Sequence, residues 1–273
     1  MKSPDSLFEH ALAIVRTPDT SEKVELAKTA ARAWFNHRLS KGRQSSITPM
    51  PDRPGRPEKP ELVPPRQMPK RRLGGPKGKI AMLHALAHIE LNAVDMTWDL
   101  IGRYFHVTAP ASFFDNWVRV GVEEAKHFEL LDKRLQELGA KYGDLPAHDG
   151  LWQAAQATGD NLLARIAIVP LVLEARGLDV SPSMIEKLRS LDDDASARIL
   201  EIIYNDEKFH VAVGLKWFRY FCEQQGLVPE PTFQSLVRTH FRGHIKPPFN
   251  DKARSEAGLT PGFYKPLAAI GTA

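Results

Sequence analysis

The chain has 273 residues, of which 42% are hydrophobic, and a formal net charge of +4, so it can bury the core of one large domain or two small ones. No run of about 18 apolar residues occurs, which excludes a transmembrane helix, and the N-terminus lacks the apolar segment of a signal peptide. A single cysteine, Cys222, excludes an internal disulfide and is typical of a reducing cytosol, so we expect a cytoplasmic protein with no membrane partner.

Two stretches with helical periodicity, residues 4–16 and 21–39, open the chain and predict a helical N-terminal extension over residues 1–39. Residues 40–79 hold nine of the 21 prolines and eleven Lys/Arg against three Asp/Glu. Proline at this density is incompatible with a helix and favours extended chain, so residues 40–78 are interpreted as a Pro-rich basic arm. Two roles stay open: a linker or wrapping arm, or a surface that contacts nucleic acid or an acidic partner.

Four longer helical stretches follow, each with one apolar stripe at spacings of three and four, and they predict an all-α protein built on a four-helix bundle over residues 79–226. The expected ranges are about 79–104 (helix A), 111–138 (helix B), 149–177 (helix C) and 192–225 (helix D).

Glycines set the expected ends of these helices. Helices B and D end before Gly139 and Gly226, and helix C breaks at Gly159 and ends at Gly177. A short helix over residues 184–191 is expected to join C to D. In the C-terminal part, 227–273, one more helix precedes a Pro/Gly-rich tail, which either folds over the end of the bundle or extends into solvent.

Acidic residues interrupt all four apolar stripes. Glu90, for example, lies three residues after Ala87 and four before Val94, in the centre of the inner face of helix A. Burying an isolated carboxylate costs several kcal/mol, and several together repel one another, so we expect positive charge among them. The interrupting residues are Glu90 in helix A, Glu124 and His127 in helix B, Glu174 in helix C, and Glu207 and His210 in helix D.

The order of these residues repeats: a Glu is followed by Glu-x-x-His, and then the same pattern occurs again. The two inward Glu residues precede their Glu-x-x-His partners by 34 and 33 positions. Residues three apart project from one side of a helix, so each Glu-x-x-His offers an oxygen and a nitrogen ligand. Four carboxylates and two imidazoles suit two octahedral first-row metal ions, iron first and manganese as the alternative. The competing interpretation is a chance match among polar residues on solvent-facing surfaces.

Three further residues are candidates for supporting such a site. Asp206 and Glu123 each precede a Glu-x-x-His, and metal-bound histidines usually donate their other N–H to a carboxylate. We therefore predict that Asp206 orients His127 and that Glu123 orients His210, with exposure to solvent as the alternative. Tyr204, three residues before Glu207, is either a hydrogen-bonding or redox-active phenol beside the metals or a core residue.

Two features near the candidate ligands point elsewhere. His84 and His88 lie about 120° and 200° around the helix from Glu90, so we expect them to pack or hydrogen-bond at a neighbouring element. Pro170 lies one turn before Glu174, removes a backbone hydrogen bond, and is expected to kink helix C beside the site.

Several segments resemble a known family: "HALAHIELNAVD", "EEAKHF", "LEARGLD", "DEKFH" and the tail "HIKPPFNDKARSEAGL". They are similar to the bacterial ferritin-like proteins grouped as domain of unknown function 455, over most of the chain. The wider ferritin-like superfamily includes ferritins, ribonucleotide reductase small subunits, multicomponent monooxygenases, manganese catalases and a tRNA hydroxylase. The resemblance implies a dinuclear metal centre on the six residues above, and it implies no particular substrate.

The leading expectation is a di-iron oxidoreductase or hydroxylase that uses oxygen or peroxide, acts on a small molecule or modified base, and needs an electron donor. The alternative is an iron-handling protein, either a ferroxidase, a store or a sensor. Against storage, a cage-forming ferritin is close to a bare bundle, whereas this chain carries long segments before residue 79 and after residue 226. An adaptor with a structural metal is a third possibility, although structural sites favour sulfur ligands and closed tetrahedral shells.

Overall fold

The computed structural model describes residues 6–42, 48–68 and 75–268. Within these ranges the secondary structure is helical, and there is no β-strand beyond three isolated bridges, which confirms the all-α class. None of the described helices combines the length and apolar character that spanning a membrane requires. The chain forms two compact units, Met1–Trp152 (unit 1) and Gln153–Ala273 (unit 2). Predicted helices A and B lie in unit 1 and predicted helices C and D lie in unit 2; a ferritin-like packing of the four stays a prediction.

Unit 1 is built on two long helices, α3 and α4, which pack against each other. They correspond to predicted helices A and B, and Gly139 follows α4 with a φ of +76°, as expected for a glycine that ends a helix. Two shorter helices cover them, α1 on α3 and α2 on α4, and both confirm the expected N-terminal helices. The bounds are Leu7–Arg16 (α1), Thr20–Phe35 (α2), Gly75–Arg103 (α3) and Ala111–Glu137 (α4).

A single glycine lets α3 and α4 approach closely. A Cβ atom on Gly121 would lie 2.8 Å from Nε1 of Trp98, which is fully buried. The indole N–H instead donates to the Gly121 carbonyl, at 3.4 Å. Because Gly121 lies one turn before Glu124, this contact sets the height at which Glu124 faces α3.

Residues 48–68 of the Pro-rich arm pack on the helices of unit 1, whereas the predicted end of the arm at residue 78 is wrong, because residues 75–78 form the start of α3. Met50 fills the space beside Gly102 of α3, where a Cβ would meet its sulfur at 2.5 Å. Gly55 N donates to the Val15 carbonyl at 2.8 Å, and Val63 N donates to the Ala147 carbonyl at 2.8 Å. These residues therefore pack along the helices of unit 1, whereas positions 43–47 and 69–74 of the predicted arm lie outside the described residues.

Helix α3 buries a second polar face, away from Glu90, and the arm helps to neutralise it. Asp95 is fully buried and forms ion pairs with Lys23 of α2 and with Arg56 of the arm, the latter at 3.2 Å. Asp99, also fully buried, pairs with Arg103 at 2.8 Å. Part of the arm's positive charge thus has an acidic partner within unit 1, and contact between the arm and nucleic acid stays a prediction.

Unit 2 contains predicted helices C and D and the C-terminal segments. Gly150–Gln156 (α5), which contains the boundary between the units, ends in the turn predicted at Gly159. The bounds that follow are Leu162–Ile168 (α6), a π-helical segment Val169–Glu174, Ala175–Arg189 (α7), Asp194–Gln224 (α8), Pro229–His240 (α9), Asp251–Glu256 (α10) and Pro261–Tyr264 (α11). Helix D and the helix after it are confirmed as α8 and α9.

The predicted end of helix C at Gly177 is wrong, and so is the separate helix over residues 184–191. Helix α7 continues through Gly177 and also through Pro182 to Arg189. Pro182 has no N–H to donate to the carbonyl of Leu178. The Asn250 side-chain amide donates to that carbonyl instead, at 3.1 Å, so the proline does not leave it unsatisfied.

The C-terminal tail is a packed part of unit 2 and not a solvated extension. Arg254 is 3% exposed and forms two hydrogen bonds with the Asp179 carboxylate of α7, at 2.8 and 2.7 Å. Its guanidinium lies over the rings of Phe249 and Tyr264, 5.4 and 4.4 Å from their centroids. A bidentate buried pair with two aromatic neighbours holds residues 249–264 on α7.

Candidate metal centre

Unit 1 brings three of the six predicted ligands together between α3 and α4. Glu90 projects from α3, and Glu124 and His127 project from α4, with Glu124 and His127 fully buried. Nδ1 of His127 lies 3.3 Å from Oε2 of Glu90 and 3.5 Å from Oε2 of Glu124. One ligand atom from each residue lies within 4.8 Å of the others, and we call these three residues the unit 1 triad.

Unit 2 brings the other three together in the same combination. Glu174 is the last residue of the π-helical segment, and Glu207 and His210 project from α8. His210 is fully buried, and its Nδ1 lies 3.8 Å from Oε1 of Glu207. Again one ligand atom from each residue lies within 4.8 Å of the others, and we call these three residues the unit 2 triad.

The backbone around Pro170 places Glu174 beside α8. Pro170 lies in the π-helical segment, where its missing N–H no longer breaks a regular α-helical ladder. A Cβ on Gly214 of α8 would lie 2.6 Å from Cβ of Pro170, so only glycine lets the two segments meet at this distance. Glu174 follows Pro170 by four residues and His210 precedes Gly214 by four, so the contact sets the spacing of the triad. The structure has a π-helical segment at Pro170, and the predicted kink of helix C at this position stays a prediction.

The donor atoms of both triads fit a first-row metal ion. Such ions bind imidazole nitrogen and carboxylate oxygen at about 2.0–2.2 Å, which places neighbouring ligand atoms roughly 3 Å apart. The separations between the histidine Nδ1 atoms and the carboxylate oxygens, 3.3–3.8 Å, allow both to reach one ion after a small adjustment. Two buried carboxylates in each triad repel one another, and a cation removes that cost.

Two of the three predicted supporting residues, Glu123 and Tyr204, have hydrogen-bond partners within their own unit. Glu123 is half-buried and accepts a hydrogen bond from Nε of Arg119, at 3.0 Å, along α4. Asp206 is half-buried on α8. Their proposed roles toward His210 and His127 stay predictions. The Tyr204 hydroxyl accepts from the Asn250 side-chain amide at 3.1 Å, which ties it to the C-terminal segment.

His84 and His88 hydrogen-bond away from the triad, as predicted. Nδ1 of His88 lies 2.8 Å from the Tyr142 hydroxyl and its Nε2 lies 3.1 Å from the His148 carbonyl. Burial lowers the pKa of His88 to about 4, so the ring is neutral at physiological pH. The Gly143 N–H donates to Nε2 of His84 at 2.9 Å.

Three residues that shape the surroundings of the triads were not predicted: Gly121 and Gly214, at the close helix contacts, and Asn250, which bonds to α7 and to Tyr204. A signal existed for the two glycines, because each interrupts an otherwise strong helical pattern and an isolated glycine there usually has a packing reason. No comparable signal marks Asn250, whose partners Leu178 and Tyr204 lie far from it in sequence.

Residues 16–265 match the family model described as "Protein of unknown function (DUF455)". A protein of Haemophilus influenzae described as "Uncharacterized protein" is 41% identical over 209 residues, which cover 75% of this chain and 73% of that protein. No solved structure matches the chain.

Proposed function

The chain belongs to the DUF455 family, and from that premise we propose that its two triads hold two transition-metal ions for an oxidation that uses oxygen or peroxide. The description of the family names no activity, so the proposal is supported by the residues themselves. The observation that carries it is the repetition: each unit buries two carboxylates and one imidazole with their ligand atoms within 4.8 Å.

Charge balance supports two divalent ions. The four carboxylates of the triads carry four negative charges, which two divalent cations neutralise, and the two imidazoles add neutral donors. A set of oxygen and nitrogen ligands without sulfur suits iron or manganese better than structural zinc, which favours thiolates. The chain's single cysteine is Cys222, which belongs to neither triad.

The side chains have separate tasks in this proposal. Bound metal ions would supply the electron transfer to oxygen or peroxide. His127 presents Nδ1 to its carboxylates, so a metal ion on Nδ1 would place the proton on Nε2, which would donate it to a carboxylate, the role proposed for Asp206. His210 also has Nδ1 nearest to Glu207, and Glu123 is the proposed partner of its Nε2. Full burial of both histidines keeps bulk water away from the reacting atoms.

The substrate in this proposal is a small molecule or a modified base, and an external electron donor restores the reduced metals. The alternative is an iron-handling protein that oxidises ferrous iron as its cargo. Both need the same six ligands, so a count of metal per chain decides between them.

The test is an anaerobic titration of the full chain with ferrous iron, followed by exposure to oxygen and elemental analysis. An oxidoreductase binds about two ions per chain and stops after one round of oxidation without reductant. A store continues to take up iron and forms a large hollow assembly in size measurements. Uptake of tens of ions per chain would replace the leading proposal with the alternative, and no binding above that of a His127→Ala/His210→Ala double variant would end both.

A further inference from the structure

A cavity of about 280 Å³ lies in unit 1 between the Pro-rich arm and α3, apart from the metal triad. The lining residues are His88 and Tyr142 together with six residues of the arm, Arg56, Pro57, Glu58, Pro60, Glu61 and Leu62. His88 precedes Glu90 by two positions and therefore lies about 200° away around α3. The volume is at the small end of ordinary ligand cavities, so an occupant would have few heavy atoms.

The end of the cavity at Arg56 lies beside a buried cluster in which cations outnumber carboxylates. Lys23 and Arg56 both form ion pairs with the one carboxylate of Asp95. Lys23 is almost fully buried, and burial lowers its pKa, as expected where the surroundings do not fully compensate an ammonium. Two cations that share one buried carboxylate favour a second anion nearby.

Arg56 also offers an unused hydrogen-bond donor at this end. Its Nη2 donates to Oδ1 of Asn92 at 2.7 Å, and its Nε is buried and has no hydrogen-bond acceptor among the described residues. A buried donor without an acceptor costs free energy unless a ligand or water supplies one. The Nε atom itself is not exposed to the cavity, but Arg56 lines it, so a carboxylate bound there would supply a negative charge beside the guanidinium.

The remaining arm residues that line the cavity are partly apolar and partly acidic. Pro57, Pro60 and Leu62 give an apolar surface, and Glu58 and Glu61 bring negative charge on side chains that are exposed to solvent. These acidic groups would repel a simple anion and attract an ammonium group at the mouth of the cavity.

From this arrangement we propose that the cavity binds a small aliphatic molecule with a carboxylate at one end and an amine at the other. The carboxylate lies against Arg56, the methylene chain contacts the prolines and Leu62, and the amine faces Glu58 and Glu61. The proposal does not depend on the metal triads, so its outcome is separate from that of the proposed function.

The test uses calorimetric titration of the full chain with three probes of equal chain length: ε-aminocaproate, caproate and hexylamine. We expect saturable binding of ε-aminocaproate that is about tenfold or more tighter than binding of either probe with one charged end. Equal affinity for all three probes, or no saturable binding of any, would overturn the proposal.

Two variants test which residues of the cavity contact the carboxylate and the amine of the ligand. Arg56→Gln is expected to weaken ε-aminocaproate about tenfold or more, whereas Arg53→Gln, at an exposed arm arginine that pairs with Asp149, is the matched control and keeps the affinity. Because Arg56→Gln could also loosen the arm, the Glu58→Gln/Glu61→Gln double variant leaves Arg56 in place and removes the proposed amine partners. In this variant ε-aminocaproate and caproate should bind with similar affinities. A retained preference for ε-aminocaproate would show that Glu58 and Glu61 do not bind its amine.

Discussion

The ring of Pro170 packs directly on Gly214, so closely that a methyl group on the glycine would lie 2.6 Å from the proline Cβ. This contact joins the π-helical segment to α8 within unit 2, one turn from both Glu174 and His210. Two residues that cannot bind a metal therefore control the spacing of two that can.

The first prediction concerns this contact. In Gly214→Ala the new methyl group should cost about 1–3 kcal/mol of stability, because the proline ring cannot rotate away from it. The higher helix propensity of alanine offsets about 1 kcal/mol of this cost. Gly177→Ala is the matched control, because nothing lies within 4 Å of its Cβ position in α7. It should stabilise by about 0.5–1 kcal/mol. Urea unfolding of the two variants measures both, and equal effects would show that the close contact has no energetic consequence.

The second prediction concerns a ligand. His127→Ala removes the imidazole of the unit 1 triad and is expected to lower bound iron from about two ions per chain to one or none. His244→Ala, at an exposed histidine, is the control and should keep the full count. Elemental analysis after ferrous loading and desalting gives the numbers, and full occupancy in the His127 variant would remove that residue from the ligand set.

The third prediction concerns the cost of two buried carboxylates. Glu124→Gln removes one negative charge from the unit 1 triad, so it should raise the melting temperature of chelated protein by relieving the repulsion between the two buried carboxylates. The same change should lower the melting temperature of metal-loaded protein, because it removes a ligand and the metal's contribution to stability depends on binding. A change of the same sign in both states would indicate that no cation is bound there.

The fourth prediction concerns Cys222, which is fully buried on α8. Burial raises the pKa of its thiol to about 11, so at pH 8 the folded protein should resist alkylation that proceeds rapidly once the chain is unfolded. Above about pH 9 the unfolded thiol ionises while the folded one stays protonated until about pH 11. The free energy of unfolding should therefore fall across this window, and less so in Cys222→Ala. Rapid labelling of the folded chain at pH 8 would contradict the burial.

Much of this protein could be predicted from the order of its residues. Apolar periodicity is a local property, so the long helices α3, α4 and α8 were expected within a few residues of their ends. Acidic residues at the centre of those stripes identified the triads for the same reason: a helix places every third or fourth residue on one face. Within each unit the structure brings the three predicted ligands together.

The sequence by itself therefore determined the helical class, the long helices and the faces on which the candidate ligands lie, because these follow from spacing along one chain segment. Only the tertiary structure decided that α7 runs through Gly177 and Pro182, since the carbonyl that Pro182 leaves without a donor is satisfied by Asn250, more than 60 residues later. It also decided that Arg56 of the basic arm pairs with the buried Asp95. Both are contacts between residues distant in sequence, whose free energy depends on burial and on partners that no local pattern contains.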